Sequence, residues 1–285
     1  MNIVLAVLVF MAFVVAGLGV WRWNDARNDR AVWRGLAGLS RPSPVEFDPD
    51  MVAGLPEPAR RFFLYAISPG APLRRIVEIE MSGKLGLGTR EAPNYKPMRA
   101  RQILAASHGL VWRLKTGAIS GSDGVNDETS WTRFWLLGLI PVVRAGGDED
   151  HYRSAMGRVA AEAIFWTPAA MLPGASVRWT SRGGDAARAI IRIGNFDHVV
   201  DVTVAADGRP TAVVLQRWSS ENPDKTYRLQ PFGGKLSGFR DFDGYRLPTH
   251  VEAGNLFGTD GYFPFYTADV SAIRFLDGDE TTRWV

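Results

Sequence analysis

Arg158 and Glu162 stand one helical turn apart in a stretch that is otherwise apolar, YRSAMGRVAAEAIFWTPAAMLP, residues 152–173. Tyr152, Ala155, Val159 and Trp166 recur at helical spacing, with Met156 and Ala163 alongside, which is the period of one buried face. Glu162 falls on that face. A carboxylate there is either half of a buried ion pair or a polar fixture in a pocket. In the first case the pair is satisfied by its neighbours and adds little net stability. In the second, Arg158 and Glu162 sit in a pocket walled by Trp166, Trp112 and Trp135, a make-up suited to a lipid or amphiphile. Glu162 would serve as a general base only with a raised pKa and a proton partner.

The remaining chemistry is sparse. Of the four histidines, His151 follows Asp148, Glu149 and Asp150. Acids there suit a helix N-terminus, and no second histidine lies at i+4 to complete a metal spacing, so no metal site is expected. His108 falls in a turn, and His198 and His250 in strands. All three read as structural, and no GxSxG supplies a nucleophile elbow. The glycines of GKLGLG (83–88) lack the phosphate-loop spacing and context, and GGKLSG (233–238) reads as a turn. Without cysteine there is no disulfide, thiolate nucleophile or cysteine-ligated metal. No cofactor is implied. The net charge of +3 is dispersed along the chain and does not point to nucleic acid.

Those residues need elements to hold them. Residues 3–20, IVLAVLVFMAFVVAGLGV, are uncharged and about 27 Å long as a helix, close to the thickness of a bilayer core. Trp21, Arg22 and Trp23 follow as headgroup-level anchors. This predicts a transmembrane anchor over 1–23, with a cleaved signal peptide as the rival. Residues 24–46 read as a juxtamembrane helix running into a linker. Arg22, Arg27, Arg30 and Arg34 all follow the span, and the positive-inside bias then places the body in the cytoplasm.

The expected body, 47–285, is a single β-rich domain. A packing helix is predicted over 57–66. Strands are predicted over 75–82, 98–106 and 110–116, with a short one within 119–127. The apolar run 131–137 fits helix or strand. After the central helix, alternation returns at 176–181, 188–193, 198–205, 211–218, 226–229, 236–242, 245–255 and 265–275. Asp207-Gly208 and Asp243-Gly244 are hairpin signals of the type I′ kind. The fold expected is α+β, predominantly antiparallel β: a curved open sheet or half-barrel, a central helix on its concave side, and one N-terminal transmembrane helix. Trp131, Trp179 and Trp218 read as core.

The pattern RVAAEAIFWTPAAMLP (158–173) followed by VRWTS (177–181) resembles an uncharacterised family of bacterial proteins. GLVW (109–112), DGYRLPTHVEAGN (243–255) and the final IRF (273–275) share the likeness, which spans about Leu55 to Phe275. The family pattern keeps an arginine, a glutamate, an aromatic and a proline in the helix, matching Arg158, Glu162, Trp166 and Pro168. It carries no assigned catalytic residue. The late segment also resembles the lipoprotein-carrier half-barrels of the LolA type, which implies a periplasmic body, against the charge bias.

Three function classes follow. The first is a membrane-tethered protein that binds a membrane lipid or other hydrophobic molecule, held to the bilayer through residues 3–20. The second is a hydrolase of amphiphiles with Glu162 as acid/base beside a histidine. The third is a non-catalytic interaction module at the membrane. A cavity facing Trp166 favours the first, convergence of Glu162 with a histidine the second, and a solid core with an exposed apolar patch the third.

Overall fold

The computed structural model describes residues 3–222 and 224–276. The expected domain's last residues, 277–285, lie outside the described residues. Among the described residues three α-helices, α1 (Ile3–Ala37), α2 (Glu57–Ala66) and α3 (Glu149–Trp166), accompany fifteen strands. The strands before α3 are β1 (Ile76–Gly86), β2 (Tyr95–Ala105), β3 (Gly109–Thr116), β4 (Ile119–Val125), β5 (Ser130–Leu136) and β6 (Ile140–Gly146). Those after it are β7 (Val177–Gly183), β8 (Ala186–Ile193), β9 (Phe196–Val204), β10 (Pro210–Ser219) and β11 (Arg228–Ser237), then β12 (Arg240–Phe242), β13 (Tyr245–Leu247), β14 (His250–Asn255) and β15 (Phe263–Phe275).

Thirteen strands form one antiparallel sheet in the order β6-β5-β4-β3-β2-β1-β15-β14-β11-β10-β9-β8-β7, and β12 and β13 form a separate hairpin. With β6 and β7 as its edges the sheet is open, not a closed barrel. The chain thus builds one wing before α3 and another after it, and β15 returns to zip against β1 over nine paired positions. α3 touches β6 and β5 on one wing and β8 and β9 on the other. Laid flat, β6 and β8 would be roughly 50 Å apart at ~4.8 Å per strand. An 18-residue helix is only about 27 Å long. The sheet therefore curls around α3, as a sheet this wide must.

Local signals explain the elements. Asp148 caps α3 by accepting the His151 backbone N–H, so the DEDH string is a helix start. The helix ends at Trp166, earlier than 173: Thr167 leaves helical geometry and Pro168 opens a 3-10 turn over Pro168–Met171. Asp243 and Gly244 both take positive φ, as a type I′ turn requires. At 207–208 only the glycine does, so that turn is of another type. The run 131–137 forms a strand, since β4 and β6 pair with β5 on either side. GGKLSG is not a turn: Gly233 to Ser237 complete β11, and a Cβ on Gly234 would lie 1.9 Å from the Glu252 carbonyl oxygen of β14. Only glycine permits the strands to meet there.

Strand parity assigns the faces. Ala100, Leu104, Leu110, Trp112 and Leu114 join Val159, Ile164 and Trp166 in the main core, beneath α3 and α2. Ile103, Ala105, Val111 and Trp131 point the other way and pack with Trp33 and Leu36 of α1. The stretch expected as juxtamembrane helix and linker is thus helical without a break to Ala37, and its second half docks on the sheet. Asp25 accepts from both Arg144 and Trp135, Asp29 from Arg113, and the Trp33 indole donates to Glu78. Residues 3–20 of the same helix pack against little else among the described residues: none of the apolar window is buried.

Candidate functional site

α3 leans on both wings, and beneath it the middle strands β1, β15, β14 and β11 leave a cavity of about 190 Å³. Its apolar wall includes Met81, Leu85, Trp112, Phe165, Trp166 and Phe232. The Tyr266 hydroxyl also lies on the wall and donates to the Met81 sulfur at 2.8 Å. Burial, with the Glu162 carboxylate adding to it, raises the Tyr266 pKa and keeps the phenol neutral. An apolar cavity of about 150 Å³ holds a benzene-sized guest. The present one has room for a ring or a short alkyl segment, not a whole lipid.

One side of the cavity is polar. The Arg158 Nε donates to Glu162 Oε1 at 2.5 Å, Nη1 to Asp123 Oδ2 at 2.9 Å and Nη2 to Gln102 Oε1 at 3.1 Å. Gln102 closes the ring by donating its amide to the other Glu162 oxygen. Burial opposes the Arg158 charge, and the Glu162 and Asp123 carboxylates outweigh it, so its pKa lies above the usual arginine value. The guanidinium also lies 5.1 Å from the Trp112 ring centroid. Asp123 extends the chain outwards: Thr132 donates to it, contacts His151 Nε2 at 3.1 Å, and Ser130 contacts His151 Nδ1 at 2.8 Å.

A second guanidinium reaches the cavity from the opposite wing. Arg217 of β10 donates its Nε to Ser154 of α3 at 3.1 Å and packs its charge 5.0 Å from the Phe232 ring. Among the described residues its Nη groups have no bonded protein partner, and Arg217 is part of the cavity lining. Burial lowers its pKa, Arg158 lowers it further, and Asp123 opposes them. Arg158 is thus neutralised by two carboxylates, whereas Arg217 is the donor left to a guest.

Of the residues singled out from sequence, Arg158, Glu162, Trp166 and Trp112 meet at this cavity. Trp135 does not. Strand parity turns it to the opposite face, where it is fully buried against Asp25 and Trp21. Gln102, Asp123, Arg217 and Tyr266 complete the site and were not anticipated. For Gln102 and Arg217 a signal existed: each holds the inward parity of its strand, between or beyond apolar residues, as in Val213, Leu215, Arg217.

The histidines lie elsewhere. His108 meets Asp127 at 3.2 Å and His250 meets Asp269 at 2.7 Å, both exposed. His198 is buried beside Gly157, its Nε2 without a bonded partner among the described residues. Burial brings its pKa down to about 4, with Arg153 reinforcing the shift. No described histidine is bonded to Glu162, whose partners are Arg158 and Gln102.

The profile of a family of unknown function, DUF6544, matches residues 45–268. No curated protein matches the chain. Among solved structures, a LolA superfamily protein from Nitrosomonas europaea aligns at 10% identity and a TM-score of 0.38, covering 77% of this chain and 90% of its own. A putative outer membrane lipoprotein-sorting protein domain from Vibrio parahaemolyticus aligns at 12% identity and a TM-score of 0.38, covering 81% and 93%. Likenesses this loose carry no argument about function.

Proposed function

The chain belongs to the DUF6544 family, whose function is unknown, and from that premise we propose that it is a membrane-tethered protein that binds an amphiphile in the cavity beneath α3. The observation that supports this most is the pairing of an apolar wall with one uncommitted guanidinium. The wall of Trp112, Phe165, Trp166 and Phe232 takes the hydrophobic part of a guest, and the free Nη groups of Arg217 take a polar or anionic end.

The tether is the N-terminal stretch of α1. Eighteen apolar residues, none of them buried against the body, have the length and composition of a bilayer span. The second half of the same helix is built into the sheet through Asp25, Asp29 and Trp33, which makes the helix a continuous strut between membrane and body. The arginines after the span favour a cytoplasmic body through the positive-inside bias. A reporter fused to the C-terminus tests the sidedness.

Native mass spectrometry of the protein released in detergent tests the binding. The expected result is a bound hydrophobic species that is lost when the cavity is filled. A protein that carries no such species and takes up no added lipid or fatty acid removes the proposal. Hydrolysis with Glu162 as base has less support, because that carboxylate is held by Arg158 and Gln102 and lacks a proton partner.

A further inference from the structure

Among the described residues, most large apolar side chains left exposed on the body gather at one end of the sheet. Register fixes that end. Gly83 of β1 pairs with Met98 of β2, Met98 with Thr116 of β3, Thr116 with Ile119 of β4, and Ile119 with Leu136 of β5. Ile140, 49% exposed, ends the row opposite Leu136, and beyond the row lie Leu87, Tyr95 and Leu137, exposed by 45%, 39% and 75%. On the other wing, Val213, Gly234, Ala253, Tyr266 and Leu85 continue one row, and Leu229, 54% exposed, lies past it in the same direction. Val142 and Val143 of the edge strand β6 add to the patch. From Phe134 to Val143 the β5–β6 hairpin carries no charge, while Arg133 and Arg144 flank it.

α1 points to the same corner. Its Trp33 binds Glu78 on β1, its Asp29 binds Arg113 on β3, and its Asp25 binds Trp135 on β5 and Arg144 on β6. Towards its N-terminus, therefore, the helix crosses the sheet diagonally. It shifts meanwhile from the row of Trp131 to that of Trp135, towards the β5–β6 turn. Carried one turn further, Trp21 packs edge-on against Trp135 and stacks under Arg144, and the apolar residues 3–20 leave the body over this corner. The cavity reaches towards the same end through Leu85, Phe232 and Phe265, and extends back to Trp112 and Asp123 at the middle of the sheet.

We propose that this end of the sheet is a membrane-contacting rim, with the β5–β6 hairpin dipping into the bilayer that holds residues 3–20, so that the cavity faces the acyl boundary and receives its guest from the membrane. The inference rests on the tether reading. An uncharged hairpin tip framed by Arg133, Arg144, Trp21 and Tyr95 has the make-up of an interfacial insertion: apolar side chains below the headgroups, cations and aromatic rings level with them. The rival occupant, a second copy pairing along the β6 edge, meets Pro141 there, which has no N–H to give and occurs on edges left unpaired.

The chain has no cysteine, so single labels are unambiguous in the full-length protein. An environment-sensitive fluorophore is placed on Leu137→Cys, Val142→Cys, His108→Cys or Leu8→Cys in phosphatidylcholine–phosphatidylglycerol vesicles with or without acyl-chain spin-labelled lipid. The expected result is a blue shift and loss of most emission to the spin label at positions 8, 137 and 142, with position 108, at the opposite end, unaffected. Quenching at 8 but not at 137 and 142 overturns the rim and leaves the tether standing. No quenching at 8 overturns the tether and the rim with it. Protection of 137 and 142 that rises with protein density and ignores the spin label assigns the patch to a second copy and overturns the membrane rim.

Discussion

Trp135 donates its indole N–H to Asp25 at 3.1 Å, across the face of the sheet opposite the cavity. This bond joins the apolar helix to the body, and Arg144 reinforces it by gripping both Asp25 oxygens at 2.7 and 3.1 Å. A buried carboxylate with these donors is worth keeping only as a set, because removing one member strands the others.

Asp25→Ala therefore leaves Trp135 and Arg144 without their acceptor and frees the helix from the sheet. The expected cost is about 3 kcal/mol of helix docking, seen as faster amide exchange in residues 25–36 while α3 stays protected. Asp25→Asn, which still accepts from Trp135, should lose less. Equal exchange in wild type and Asp25→Ala would show the strut to be unimportant.

Glu162→Gln removes one of two carboxylates that neutralise Arg158, leaving Asp123 to hold it. A loss of about 2 kcal/mol is expected on denaturant unfolding, below the range for a fully orphaned buried charge because Asp123 remains. Pairing Glu162→Gln with Asp123→Asn in a double-mutant cycle should give a combined loss larger than the sum, since the second change leaves the guanidinium alone.

Stability should fall on acidification through His198. Its folded pKa of about 4 lies below the ~6.5 of a free histidine, so the unfolded chain binds the proton more readily. The contribution is fully present above pH ~6.5, shrinks as the pH drops, and is gone by the folded value. Burial also lowers the His151 pKa, which works in the same direction. Melting temperatures of wild type and His198→Gln between pH 7 and pH 4 check this: the variant should show the shallower decline.

Filling the cavity separates binding from folding. Ala161 of α3 lines it and is nearly buried, so Ala161→Phe projects a ring into open space. The expected stability change is within about 1 kcal/mol, smaller than for overpacking a full core, with bound amphiphile lost in native mass spectrometry. An Arg217→Met variant should keep uncharged guests and bind anionic ones more weakly.

What the sequence decided by itself is what local pattern can decide. The uncharged run at residues 3–20, the capped helical stripe holding Arg158 and Glu162, and the alternation of short strands each depend on neighbours within a few positions. They sufficed for a predominantly antiparallel sheet with one helix against it. The docking of residues 24–37 was not read from the sequence: Asp25, Asp29, Trp33 and Leu36 recur at helical spacing, but polar residues on the stripe masked its burial. Only the tertiary structure separated Trp112 from Trp135. Both are tryptophans in strands, and which face each takes is set by pairing with strands distant in sequence. The same holds for Gln102, Asp123 and Arg217. Their meeting with Arg158 depends on the sheet curling until its two wings share one helix, and that closure is a property of thirteen strands together and of no segment alone.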